Sequence, residues 1–296
     1  MTAESFAAAS AARVRRRETG ARQPSTLVPL SLHYAVLASL SALCLAPIAI
    51  LALTAFKTEA QIFDTRWSWL FMPTLDNFRS VLGEGHSGRY LVNSLIVSIA
   101  ATAATLLTGT MAAYALARFR FLGRAPLGYG TLLLRTLPPA VLAVPVFVIW
   151  SSWGIADSLF GVVLVYTALN LPFTIWLLYG FIEQVPAELE EAAAIDGCGP
   201  FAIFWRIVLP LLKPGLAAAA IFTFRLAWNE FILSFILTNR ATRTLPAAIS
   251  NYITDSGVEW GKIMAAGVLI ALPPLIVTFV AAKQIITGLT AGAVKG

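Results

Sequence analysis

Reactive groups are scarce in this chain, and where polar residues gather they point to recognition rather than to catalysis. The Gly-Lys pair that could end a phosphate-binding loop is Gly261-Lys262, but Ile263 stands where a Ser or Thr is needed. His33 and His86 are the only histidines, and they flank the first apolar run on opposite sides, so no two-histidine metal site is available. No Gly-x-Ser-x-Gly elbow and no His-Glu-x-x-His pair is present. Cys44 lies in an apolar run and Cys198 in a polar segment, so no disulfide is expected. No enzymatic activity, metal or cofactor is therefore expected of the chain itself.

Two polar places remain. The first spans Glu188 to Pro214 between long apolar runs. Pro186 suits a first helical position, Glu188, Glu190 and Glu191 stand where a helix N-terminus favours negative charge, and Gly197 can take the left-handed backbone that ends a helix. Pro200 then starts a second short helix, which Pro210 is expected to close. Two short capped helices make a rigid docking loop. Its Glu191 carboxylate can pair with a basic residue of a partner, and Ala192, Ala193 and Ala194 are small enough to seat in a groove. Three glutamates repel an anionic leaflet, which argues against a helix lying on lipid.

The second place is Arg225, Trp228, Asn229 and Glu230. Arg225 follows Lys213 by 12 residues, about 18 Å of helix, which sets it near the middle of a bilayer. A charge there costs about 2.5–3.5 kcal/mol unless it meets a polar cavity or a partner. Either Arg225, Asn229 and Trp228 line a solute passage, or Arg225 pairs internally with Glu230 at i+5. Arg135, near the inner end of another apolar run, is expected to snorkel to the interface.

The elements that carry these residues must live in lipid. The 296 residues are 58% hydrophobic and 12% charged, against about 25% charged in soluble domains. Six stretches are long enough to span a hydrocarbon core: Leu32 to Phe56, Tyr90 to Leu116, Leu127 to Trp150, Leu159 to Ile182, Leu211 to Leu237 and Ile263 to Leu289. Residues 1 to 30 read as a disordered cytoplasmic tail with five arginines, and the first run as an uncleaved anchor. That tail and the Arg118-Phe-Arg120-Phe-Leu-Gly-Arg124 loop are basic, whereas the stretch from Lys57 to Arg89 is charge-balanced. Both termini and the docking loop therefore face the cytoplasm. The net charge of +6 marks cytoplasmic anchors, and no nucleic acid is expected as a partner. Trp67, Trp69, Phe71, Trp150 and Trp153 read as interfacial anchors. Pro47, Pro138, Pro139, Pro145, Pro172, Pro273 and Pro274 are expected to kink helices around a cavity.

The docking segment also resembles a known one. Glu191-Ala192-Ala193, three residues, Gly197, nine residues and Ile207-x-Leu209-Pro210 match the EAA loop of inner-membrane permeases of ABC importers. Thr74-Leu-Asp-Asn-Phe78 is similar to the family's turn before the second helix, and Ala227-Trp-Asn-Glu-Phe231 to its fifth-helix motif. The final Gly288 to Gly296 resembles the tail of the MalG-like branch.

The resemblance implies an all-α, six-helix transmembrane bundle of the type I importer permease kind over residues 31 to 296, with the EAA coupling loop at 186 to 210. It implies a multi-pass protein of the bacterial inner membrane that passes a sugar or sugar derivative. The partners implied are a second permease subunit, a dimer of ATPase subunits that binds ATP and Mg, a periplasmic or lipid-anchored substrate-binding protein and membrane lipid. The family usually has an apolar residue where this chain has Arg225, a departure that points to an anionic sugar. The alternative is an ion-coupled secondary transporter of a small polar solute. It would need intramembrane carboxylates, and Glu230 alone lies well inside a helix.

Overall fold

The computed structural model describes residues 30–64, 69–83, 87–255 and 257–291, with side chains as far as residue 280. The tail expected over residues 1 to 30 lies outside them but for Leu30, as do His86, Trp67 and the last five residues. The chain divides after Ile50 into two compact units. The first contributes most of α1 (Leu30–Ala55), whose apolar side chains, such as Leu37 and Leu43, are exposed.

The second unit is helical almost throughout. After the single turn α2 (Glu59–Ile62) come α3 (Asp76–Gly83), α4 (Ser87–Arg118), α5 (Arg124–Arg135), α6 (Pro139–Ser152) and α7 (Leu159–Glu183). The polar segment forms α8 (Ala187–Ile195) and α9 (Pro200–Leu211). Next come α10 (Lys213–Trp228), α11 (Ile232–Leu237), α12 (Leu245–Ala248), a two-stranded ribbon (Ile253–Thr254 with Gly257–Val258) and α13 (Trp260–Ala291). Among the described residues four helices are long and apolar enough to cross a membrane, or six if each of two bent pairs is one span.

Four of the six expected runs, those of α1, α4, α7 and α13, are continuous helices. The other two are broken. Leu127 to Trp150 is interrupted at residues 136–138, where α5 and α6 meet at 102°. Pro138 takes an extended backbone (φ −65°, ψ 136°) and Pro139 opens α6, as a residue before proline is steered away from the helical region. The Leu211 to Leu237 run stops at Trp228 and resumes at Ile232, so α10 has 16 residues and spans about 24 Å. Pro210 does not close the second short helix. The segment runs on to Leu211 because a π-turn over Phe204–Val208 absorbs the proline, with the Leu209 N–H donating to the Phe204 carbonyl five residues back.

The core lies where α4 packs along α7 and α10. Gly109 allows this approach, since a Cβ there would stand 2.9 Å from the Thr174 methyl. The turn Thr74 to Phe78 has a structural part. The Asn77 amide donates to the Ala55 and Lys57 carbonyls at 2.9 and 2.8 Å, satisfying groups that the end of α1 leaves without intrahelical partners. Gly261, read above as a failed phosphate loop, is where Asn77 packs: a Cβ there would sit 2.5 Å from its Oδ1.

Candidate functional site

The coupling segment is built from its caps. Pro186 sits just outside α8 as its N-cap, one residue earlier than expected, so that Glu188 and Glu190 occupy the first turn. At the other end Gly197 adopts φ +88°. The Gly197 N–H donates to the Ala194 carbonyl at 3.1 Å and the Cys198 N–H to the Ala193 carbonyl at 2.9 Å, the double bond of a Schellman ending. Gly199 and Pro200 then open α9 with no residue to spare.

One face of this loop belongs to the protein interior. Ala193, Ile203, Phe204 and Val208 are buried in one cluster with Tyr114, Leu178 and Ile182 of the membrane helices. Ala193 is thus not open to a partner's groove; its small side chain lets α8 close on α9. Ile207 and Leu209 are half-buried against the same cluster, and Pro210 is exposed.

A buried ion pair completes the attachment. Arg118 Nε donates to Glu190 Oε1 at 2.6 Å, the two side chains being 19% and 12% exposed. Its Nη2 donates to the carbonyls of Ile182 and Val185 at 2.9 and 2.7 Å, and the Tyr114 hydroxyl donates to Glu190 Oε2 at 2.8 Å. Arg118 therefore ties the ends of α4 and α7 to α8, with charge-assisted bonds on both of its working nitrogens. Its sequence position suggested only a topological charge. Nothing local to it could have revealed a partner 72 residues away.

The outer face of the loop is different. Glu188, Glu191, Ala192 and Ala194 are exposed, and among them stand Ile195, 87% exposed, and Phe201, 69% exposed. Two large apolar side chains are thus held out between carboxylates on the side of the loop away from the membrane helices' core.

The residues expected to line a passage are not brought together as a group. Trp228 is buried, its Nε1 donating to the Ile270 carbonyl at 2.9 Å and its ring stacked on Phe224, so it packs α10 on α13. Glu230 makes no pair with Arg225. Its carboxylate instead accepts from the N–H groups of Leu233 and Ser234 at 3.1 and 3.2 Å, capping α11, and from the Tyr166 hydroxyl at 2.8 Å. Arg225 and Asn229 are exposed; the Asn229 amide turns back to the Arg225 carbonyl at 3.0 Å. The Arg225 guanidinium makes no hydrogen bond or ion pair among the described residues.

A cavity of about 220 Å³ lies instead at the break between α5 and α6. Arg135, Leu137, Tyr166, Asn170, Leu226 and Glu230 line it. Arg135, expected to snorkel, lies with its guanidinium 4.6 Å from the centre of the Phe173 ring. Trp150, expected as an interfacial anchor, donates to the Gly161 carbonyl at 2.8 Å and stacks on Trp153, while Trp153 and Trp69 are exposed.

A family model described as "binding-protein-dependent transport system inner membrane component" matches residues 90–290. The chain is 38% identical over 245 residues to the diacetylchitobiose uptake system permease protein DasC of Streptomyces coelicolor, covering 82% of this chain and 89% of that one. It is 36% identical over 245 residues to the sulfoquinovosyl glycerol transport system permease protein SmoH of Agrobacterium fabrum, covering 82% and 86%. Its fold matches a chain of a bacterial ABC transporter involved in the import of the acidic polysaccharide alginate, with a TM-score of 0.69 at 20% identity over 86% of this chain and 95% of that one.

Proposed function

This chain belongs to the family of inner membrane components of binding-protein-dependent transport systems, and from that premise we propose that it forms half of an ATP-driven passage for a sugar or sugar derivative. It is a carbohydrate importer permease and not an enzyme; hydrolysis belongs to a separate subunit. The ion-coupled alternative loses its ground with that membership. In the proposed assembly a second permease subunit completes the passage, a pair of ATPase subunits binding ATP and Mg grips the loops, and a periplasmic or lipid-anchored binding protein delivers the cargo.

The observation that carries this reading is the coupling loop. Its inner face is locked into the membrane helices, and its outer face presents Ile195, Phe201, Glu188 and Glu191. A force applied at those side chains reaches α4 and α7 through Arg118 without a flexible link. Closure of the ATPases would then rotate the bundle between inward-open and outward-open arrangements. The loop and both termini face the cytoplasm in this scheme.

An anionic cargo is the finer reading. It is supported by the guanidinium of Arg225, which has no partner among the described residues, and by a relative whose name specifies a sulfonated sugar.

The test is the assembled transporter in proteoliposomes. Glu191→Lys should retain six inserted segments but lose ATPase co-purification and transport, because an exposed carboxylate is replaced by a repelling charge. Normal transport by that variant would remove the docking role of Glu191. Modification from the periplasmic side of a cysteine placed at Asp196 would overturn the orientation.

A further inference from the structure

We propose that the cavity at the α5–α6 break holds one ring of the transported sugar, with Arg135 as hydrogen-bond donor and Asn170 as acceptor; this rests on the reading of the chain as a sugar permease. Three separate features meet there.

The first is broken backbone. Residues 136–138 and 229–231 interrupt helices inside apolar runs, and the cavity is lined from both interruptions, by Leu137 on one side and Glu230 on the other. Within a membrane, non-helical backbone persists only where protein or water satisfies it. Two breaks opening on one cavity fit a cavity that holds water.

The second is a free charge. Arg135 is exposed at the last turn of α5, and beyond its stacking on Phe173 its N–H groups make no hydrogen bond among the described residues. Facing lipid would be costly for that charge, whereas facing water or a hydroxylated ligand is not.

The third is an acceptor at the wall. Asn170 is 6% exposed, and its amide nitrogen donates to the Tyr166 carbonyl at 2.8 Å, while its Oδ1 accepts nothing among the described residues. The carboxylate of Glu230, fixed by Tyr166, Leu233 and Ser234, adds a second acceptor edge.

Sugar hydroxyls both donate and accept, and the C–H faces of a ring are apolar. The cavity offers a guanidinium, an amide oxygen and a carboxylate between the walls of Leu137, Leu169 and Leu226. Its charges cancel, which suits a hydroxylated ring better than a small ion. At about 220 Å³ it falls below the roughly 300–1,000 Å³ of drug-sized pockets, so it fits a single ring of a longer cargo.

The experiment uses the whole transporter, with partner permease, ATPase and binding protein, in proteoliposomes. Uptake of radiolabelled diacetylchitobiose, trehalose and sulfoquinovosyl glycerol is measured first with the wild type. Arg135→Gln and Asn170→Leu should each raise the KM for the transported sugar about tenfold or more, the size of one lost charge-assisted or buried hydrogen bond, with Arg135→Lys recovering part of it. A second readout needs no turnover. In a background lacking Cys44 and Cys198, Leu226→Cys should react with a membrane-impermeant thiol reagent, and the transported sugar should slow that reaction. An unreactive cysteine would mean that lipid or a partner helix fills the cavity, and unchanged KM values in both variants would equally overturn the site while leaving the sugar permease intact. If the wild type takes up none of the three, uptake is measured over a panel of mono- and oligosaccharides, and failure on the whole panel sinks the sugar reading and the site with it.

Discussion

The coupling loop and the membrane cavity are each organised around a tyrosine that donates to a glutamate, yet the two pairs do different work. Tyr114 meets Glu190 at 2.8 Å and Tyr166 meets Glu230 at 2.8 Å. At the loop the carboxylate is balanced by a buried arginine that reaches three elements. At the cavity it is balanced by backbone N–H groups of a single short helix. A side-chain ion pair welds distant elements into one body, whereas a cap stabilises one turn and leaves its surroundings free to rearrange. The loop is thus fixed to several membrane helices at once, as the proposed transmission of a movement requires, while at the cavity the carboxylate fixes one short helix.

The largest effect is expected where the weld is broken. Glu190→Lys places two cations together in a site where both side chains are more than four-fifths buried. Breaking a buried pair costs about 3–5 kcal/mol, enough to detach α8 from α4 and α7 and to abolish transport. The exchange Arg118→Glu with Glu190→Lys should restore only part of this, because a lysine ammonium lacks the planar fork with which Arg118 bonds the carboxylate and both carbonyls at once. ATPase co-purification and uptake are the readouts, and wild-type uptake by Glu190→Lys would show that the loop is held by its apolar face alone.

A smaller effect is expected at Gly197. A Cβ there would meet nothing within 4 Å, so Gly197→Val strains the backbone alone at φ +88°. The left-handed conformation costs a residue with a Cβ about 1–2 kcal/mol. The Schellman ending should loosen, and uptake per ATP hydrolysed should fall while the complex still assembles. An unchanged coupling ratio would mean that α8 keeps its place without its turn.

The contrast between the two regions also explains what the sequence could reveal. The loop is local: proline, glutamates and glycine over a dozen residues state two capped helices, and the spacing carries the family resemblance. What is not local in it differs from the expectation: burial of Ala193 depends on α4 and α7, and the π-turn carries the second helix past Pro210. The cavity is assembled from α5, α6, α7, α10 and the residues just after it, and no window of sequence contains it. Its main sequence clue, a proline pair, is ambiguous: Pro138-Pro139 breaks a span while Pro273-Pro274 continues one. Local backbone preference disfavours helix before the second proline in both places, and the tertiary surroundings decide. Arg225 drew notice as a charge in an apolar run, but the charge that lines the cavity is Arg135.

The smallest effect concerns Arg225 and Glu230, and it separates a cap from an ion pair. Were the two residues paired, Arg225→Ala would strand the carboxylate and Glu230→Gln would rescue it. In the structure Glu230 is held by Tyr166 and by the first N–H groups of α11, so Glu230→Gln weakens a cap, a loss of about 1 kcal/mol. Arg225→Ala removes an exposed side chain with no partner among the described residues and should leave complex yield unchanged. The double variant should therefore be additive to within about 0.5 kcal/mol, the behaviour of sites that do not interact. Yield and thermal stability of the complex measure this. Uptake then distinguishes cargo: if the guanidinium meets an anionic group, Arg225→Ala should depress uptake of an anionic sugar and spare a neutral one, because only the anion loses a charge-assisted bond. Equal uptake of both sugars by the variant would dismiss Arg225 from recognition, and rescue by Glu230→Gln would restore the ion pair.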